Sequence, residues 1–114
     1  MRNPRDIRWA AGVFEGEGWC GAYERRRGGK VYVGLQVGVG SSDLDVIQEV
    51  QRVFGCGHIN GPYEGEDGNK PMYLWRTSAE DEVRAVLMRL VPYLCGRRYV
   101  KAHDTLSATT GRVI

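Results

Sequence analysis

Glu15 and Glu17 lie two residues apart in the stretch Ala10-Ala11-Gly12-Val13-Phe14-Glu15-Gly16-Glu17-Gly18. Glycines frame them, so the segment has too few side chains to bury charge well. Carboxylates in such a frame have two uses: they offer hard oxygen ligands to a divalent cation, or they cap local backbone amides. Composition alone leaves both open. Gly12 and Gly16 are four apart and fall on one side of a helix, where missing side chains let another backbone come close.

Cations gather elsewhere. Arg25, Arg26, Arg27 and Lys30 form one cluster and Arg97, Arg98 and Lys101 another, while acid collects at Glu64, Glu66 and Asp67 and at Glu80, Asp81 and Glu82. A formal charge of +2 does not imply nucleic acid by itself, but the uneven distribution lets one surface be basic on a nearly neutral molecule. Taken singly, each charge run reads equally as a solvated face. Cys20, Cys56 and Cys95 are widely separated with no CxxC pair, and there are 2 histidines. Neither a disulfide framework nor a zinc site is indicated, and the thiols read as buried or idle.

Periodicity gives the elements that position these groups. Asp6 caps a first helix carrying Ile7, Ala10, Ala11, Val13 and Phe14, which ends at the glycines of Glu15 to Gly18. A strand from Trp19, a turn at Arg27-Gly28-Gly29-Lys30 and the alternating run Val31, Val33, Leu35, Val37, Val39 make a hairpin with one buried face. Ser41-Ser42-Asp43 starts a second helix with the stripe Leu44, Ile47, Val50, Phe54, closed by Gly55. Cys56 to Tyr63 and Lys70 to Arg76 flank a polar loop and form a second hairpin. Thr77-Ser78-Ala79-Glu80 reads as a capping box for a third helix bearing Val83, Val86, Leu87 and Leu90 before Pro92, and a last helix spans about Arg97 to Leu106.

This order predicts an α+β fold, four antiparallel strands with helices on one side. The other sheet face is then open, and alternation assigns it Trp19, Tyr23, Arg25, Lys30, Tyr32 and Gln36 from the first hairpin and His58 and Asn60 from the second. Tyr73 and Trp75 should point into the core rather than Leu74 and Arg76. Basic, aromatic and amide side chains interleaved in this way can contact phosphates and base edges, although aromatics on a sheet face also serve simple packing.

The chain's 114 residues, 42% hydrophobic and 26% charged, with a mean hydropathy of -0.40, suit a single domain over 1–114. No run approaches the ~18 apolar residues of a spanning helix, and Met1 to Asp6 is charged where a signal peptide leads into an apolar segment. The expectation is a protein of the cytosol, or of the nucleoid or organelle matrix if its partner lies there, with neither membrane nor small molecule as its target.

The nonapeptide at Ala10 to Gly18, followed in order by Gly34-Leu35-Gln36-Val37, the second helix with Phe54-Gly55, the strand Lys70-Pro71-Met72-Tyr73-Leu74-Trp75-Arg76, and Val91-Pro92-Tyr93-Leu94 with basic residues behind it, resembles the single-motif LAGLIDADG homing endonucleases over nearly the whole chain. The resemblance implies an α-β-β-α-β-β-α fold in which the motif helices of two chains pack face to face and the sheets form a saddle over double-stranded DNA. Ala11, Gly12, Glu15 and Gly16 would then serve the helix contact of a homodimer. Glu17, with Gly16, would bind Mg²⁺ near the dimer axis; Mn²⁺ can substitute, and Ca²⁺ is expected to support binding without cleavage. Glu15 matches a less directly catalytic acid. Arg97 falls where related enzymes place a basic residue near the scissile phosphate, with Arg98 as its substitute if the register slips, and Gln36 matches a base-contacting strand position. Phosphate contacts fall to Arg25, Arg26, Arg27, Lys30, Arg76 and Lys101.

The implied activity is metal-dependent hydrolysis of both strands of a long pseudo-palindromic site. Two departures bear on it. Both motif acids are glutamate where aspartate is common, and Val39 and Asp43 occupy positions where many members carry polar or basic groups. The alternatives are a non-cleaving DNA- or RNA-binding protein of the same fold, an intron maturase or a transcriptional regulator, and a small α+β interaction module without a nucleic-acid partner.

Overall fold

The computed structural model describes residues 3–66 and 68–114; Asp67, part of the acidic cluster named above, lies outside them. Helix α1 (Pro4–Glu17) begins three residues earlier than its apolar stripe suggests, because proline suits the first helical position and Asn3 caps it. The Asn3 side chain accepts the Asp6 N–H at 3.1 Å, so Asp6 is the capped residue and not the cap. Strands β1 (Gly18–Arg27) and β2 (Lys30–Ser41) follow as a hairpin whose two turn glycines have φ of 58° and 78°. Both are left-handed, the backbone that a two-residue turn between twisted strands requires.

Helix α2 (Leu44–Phe54) ends on Gly55 at φ 70°, the left-handed cap its sequence calls for. Strands β3 (His58–Tyr63) and β4 (Met72–Thr77) form the second hairpin, and α3 (Glu80–Leu90), a 3-10 turn (Val91–Tyr93) and α4 (Gly96–Ser107) complete the helices. The capping box does not form. Thr77 closes β4 opposite Val37, and its buried hydroxyl donates to Glu82 at 2.6 Å and accepts the Ala79 N–H at 3.3 Å. Ala79 therefore takes the cap position with no side-chain bond of its own.

The sheet order is β1-β2-β4-β3, antiparallel throughout, and a fifth strand, β5 (Gly111–Arg112), pairs with β2. Four strands were expected; two residues are too short a run to show a period. All helices contribute to one core against the sheet's inner face, where Phe14, Leu35, Val37, Ile47, Trp75 and Leu87 have no exposed surface. Each such side chain contributes roughly 1.5–3 kcal/mol of burial. Trp75 also donates its indole N–H to the Cys56 carbonyl at 2.8 Å, which ties the start of β3 to β4. Tyr73 packs at the core edge, as alternation predicts. Among the described residues, no helix is long and apolar enough to cross a membrane.

Candidate nucleic-acid interface

With Cys20, Leu35, Val37, Val39 and Trp75 buried against the helices, the alternate residues of each strand must face away. Pairing aligns these outward residues in rows. Trp19, Gly38, Arg76 and His58 stand abreast across β1, β2, β4 and β3, and Asn60 stands with Leu74 and Gly40 in the next row. Tyr23 is opposite Gly34, and Arg25 is opposite Tyr32.

Three glycines, Gly34, Gly38 and Gly40, line the outward side of β2, so the middle of the face lacks side chains of its own strand. Neighbouring rings cover two of them. A Cβ at Gly38 would run into the Trp19 ring, and one at Gly34 would come within 2.9 Å of the Tyr23 ring. Trp19 and Tyr23 thus lie flat across β2 as a floor. Gln36 rises between the two paved glycines, half-exposed.

Two cations need correction or refinement. Arg26 was expected with Arg25 and Arg27, but it pairs with buried Val31 and so lies on the opposite side of the strand. A run of three in a strand cannot share one face. Lys101 belongs to α4, in the helical layer, yet its Cε and Nζ would be 3.5 Å and 3.7 Å from a Cβ at Gly21. Gly21 lies between two inward positions and opposite Gln36, so the lysine reaches round the edge strand to the open side. One basic residue that sequence reasoning missed is Arg112, paired with Tyr32 through β5.

The two motif acids separate in role. Glu15 accepts the Cys95 N–H at 2.9 Å, and Cys95 is the cap residue of α4. Its carboxylate therefore sits at a helix N-terminus, where negative charge is favoured. Glu17, the last residue of α1, is exposed and makes no hydrogen bond or ion pair with any other described residue. The two arginines divide likewise. Arg98 donates from Nε to the Phe14 carbonyl at 3.2 Å, a second donor to an oxygen that already accepts the Gly18 N–H, whereas exposed Arg97 has no partner among the described residues. The bonds from Glu15 and Arg98 hold the end of α1 against the start of α4, so Glu17 and Arg97 flank one junction.

Gly18 is needed there for packing: any side chain on it would run into the Phe14 ring. On the outer side of α1, Gly12 and Gly16 are exposed with open space beyond them. Ala11 is not part of that surface. At 2% exposure it faces its own core with Ile7, Ala10 and Phe14, the helical spacing of the buried stripe.

Among the described residues no three His, Cys, Asp or Glu side chains come together. One copy thus offers a single free motif carboxylate, Glu17, with the Gly16 carbonyl beside it in sequence. Hard oxygens of this kind fit Mg²⁺, which binds through one or two carboxylates and completes its shell from water and phosphate. Val39 is 1% exposed in the core, and Asp43 occupies the cap position of α2. Burial raises the thiol pKa of Cys20 and Cys56, so both are neutral. Cys95, expected to be buried or idle, is exposed beside Glu15.

No protein-family model matches the chain, and no curated protein does. Solved structures do. The homing endonuclease I-CvuI in complex with its target in the presence of Ca has a TM-score of 0.74 at 22% identity, over 91% of this chain and 65% of that one. I-TnaI, also a homing endonuclease, has a TM-score of 0.66 at 18% identity over 91% of this chain and 69% of that one. The I-SmaMI LAGLIDADG homing endonuclease bound to cleaved DNA matches at 0.74 and 16% identity, and the chain spans only 37% of it. The chain has the LAGLIDADG homing endonuclease fold.

Proposed function

We propose that the chain is a sequence-specific DNA endonuclease that acts as a homodimer, cutting both strands of a long pseudo-palindromic site with a divalent metal. The observation that carries this reading is Glu17. It is a carboxylate without a partner among the described residues, at the end of a helix whose outer side is bare at Gly12 and Gly16, next to an open sheet face set with arginines, a lysine and a glutamine. Glu15, the other motif acid, is by contrast committed to the Cys95 amide.

Two copies meeting through Gly12 and Gly16 would bring the paired Glu17 residues together at the symmetry axis and set two sheets side by side along one duplex. Arg25, Arg27, Lys30, Arg76 and Lys101 would neutralise phosphates, and Gln36, His58 and Asn60 would meet base edges. Glu17 and the Gly16 carbonyl would hold Mg²⁺, which when bound activates water and stabilises the leaving oxygen. Arg97, a permanent cation free of structural duty, would offset charge developing on the scissile phosphate. The protein would work wherever its target DNA lies, in cytoplasm, nucleoid or organelle matrix.

Val39 favours a second reading. A core valine at a position where many relatives by resemblance carry a polar group leaves less to order water, and the same surface would then bind DNA without cutting it. Glu17→Gln separates the two on a site selected by the wild-type protein. Under the first reading this variant loses cleavage by at least ~100-fold and keeps its DNA affinity within about twofold, because the lost group acts on the reaction rather than on binding. Wild-type protein that binds tightly and never cuts in Mg²⁺ or Mn²⁺ establishes the second.

A further inference from the structure

β5 brings a cation onto the open face that the rest of the sheet does not account for. Arg112 pairs with Tyr32 and Gly111 with Val33. Val31 extends the ladder: its N–H donates to the Ile114 carbonyl at 3.0 Å, and its carbonyl accepts the Val113 N–H at 2.9 Å. Directly opposed residues share a face, and Arg25 opposes Tyr32 from the other side. Arg25, Tyr32 and Arg112 therefore stand abreast on three neighbouring strands. Strands lie about 4.8 Å apart, so the two arginine backbones are separated by roughly 10 Å. That distance is comparable with the ~12 Å width of the DNA major groove.

The segment leading into the strand is anchored by polar contacts from α3. Arg84 of α3 donates to the carbonyls of Leu106 at 2.7 Å and Ala108 at 3.3 Å, and it also binds Glu80 at 3.0 Å. Glu80 shares a further hydrogen bond with Thr110. Gly111, at φ 94°, lets the backbone turn into the ladder. Arg112 is exposed, and among the described residues only its Nε is engaged, weakly, by the Ile114 carbonyl at 3.5 Å. Both terminal guanidinium nitrogens are without a partner among the described residues.

We infer that β5 is a DNA-binding strand. Arg112 holds a backbone phosphate on one wall of the groove, Arg25 a phosphate on the other, and Tyr32 faces the base edges between them. The inference rests on the reading of the open face as a DNA interface.

The test uses the full chain and the duplex that the wild-type protein selects in Ca²⁺, with affinity measured against salt. Arg112→Ala should weaken binding about 5- to 10-fold, by a similar factor on matched and mismatched sites, and lower the log–log salt slope by about 0.9 per protomer. Arg112→Lys should keep the slope. Arg112→Gln retains a donor for the Ile114 carbonyl and removes only the charge, so its loss of slope cannot come from a loosened strand. If Arg112→Ala and Arg112→Gln bind with wild-type affinity and slope, β5 is not a contact strand, while the DNA reading stands. A wild-type protein that selects no duplex ends both.

Discussion

Glu15 and Glu17 share one motif and differ in what surrounds them. Glu15 is committed to the Cys95 amide at the start of α4. Glu15→Ala leaves that amide without its acceptor and should lower stability by about 1 kcal/mol, read as a shift in the urea midpoint at unchanged m-value. Glu17→Gln should leave the midpoint where it is and abolish cutting. Gly38→Ala acts on the open face. Its new methyl meets the Trp19 ring, so the indole must lift from the sheet, with a rise in tryptophan exposure and weaker DNA binding as the expected results. Alternation made much of this face legible, since Gln36, Tyr32 and Arg25 point outward in a simple period of two. The charge run misleads at Arg26, which alternation itself leaves off this face and which pairs with buried Val31. Nothing local could reveal the partner of Glu15, 80 residues away in the chain.

The helices and both hairpins could be read as elements because each has a stripe and a stop: Gly55 ends α2, and Gly28 and Gly29 turn the first hairpin. Boundaries moved where two signals competed. Asn3-Pro4 outranked Asp6 at the start of α1, and strand pairing drew Thr77 away from its capping role. β5 was hidden because its cause lies in another strand. β2 has 12 residues and β4 has 6, so part of the β2 edge is left with unpaired backbone groups that a passing segment can satisfy. Gly111→Ala forces a side chain into φ 94° and should cost about 1–2 kcal/mol, seen as faster hydrogen exchange at Val31 and Val113 with the core amides unchanged. Acid should act on the same element. Hydrogen bonds from Thr110 and Arg84 lower the Glu80 pKa below its ordinary 4.5. Their contribution to folding is thus complete above pH 4.5 and is lost as pH falls through the lowered value. Exchange at Val113 should rise over that range, and Glu80→Gln should flatten the rise.

At the scale of the whole molecule, the helices cover one side of the sheet and leave the other to cations, amides and rings lying flat over glycines. A surface of this kind binds chiefly through phosphates, so its affinity should fall by orders of magnitude between roughly 50 and 200 mM salt; fluorescence anisotropy against a labelled duplex checks this. The fold was legible because motif, hairpins and helices follow in an order that few architectures share. The proposed second copy comes from the resemblance alone, because one chain displays at most half of a two-fold contact. The most direct measurement is selection from a random duplex library, retaining molecules bound in Ca²⁺ and then sequencing those cut after transfer to Mg²⁺. The expected result is one enriched, pseudo-palindromic site cut on both strands near its centre, with no cut from Glu17→Gln. Enrichment of no sequence, or cutting that survives in Glu17→Gln, would contradict it.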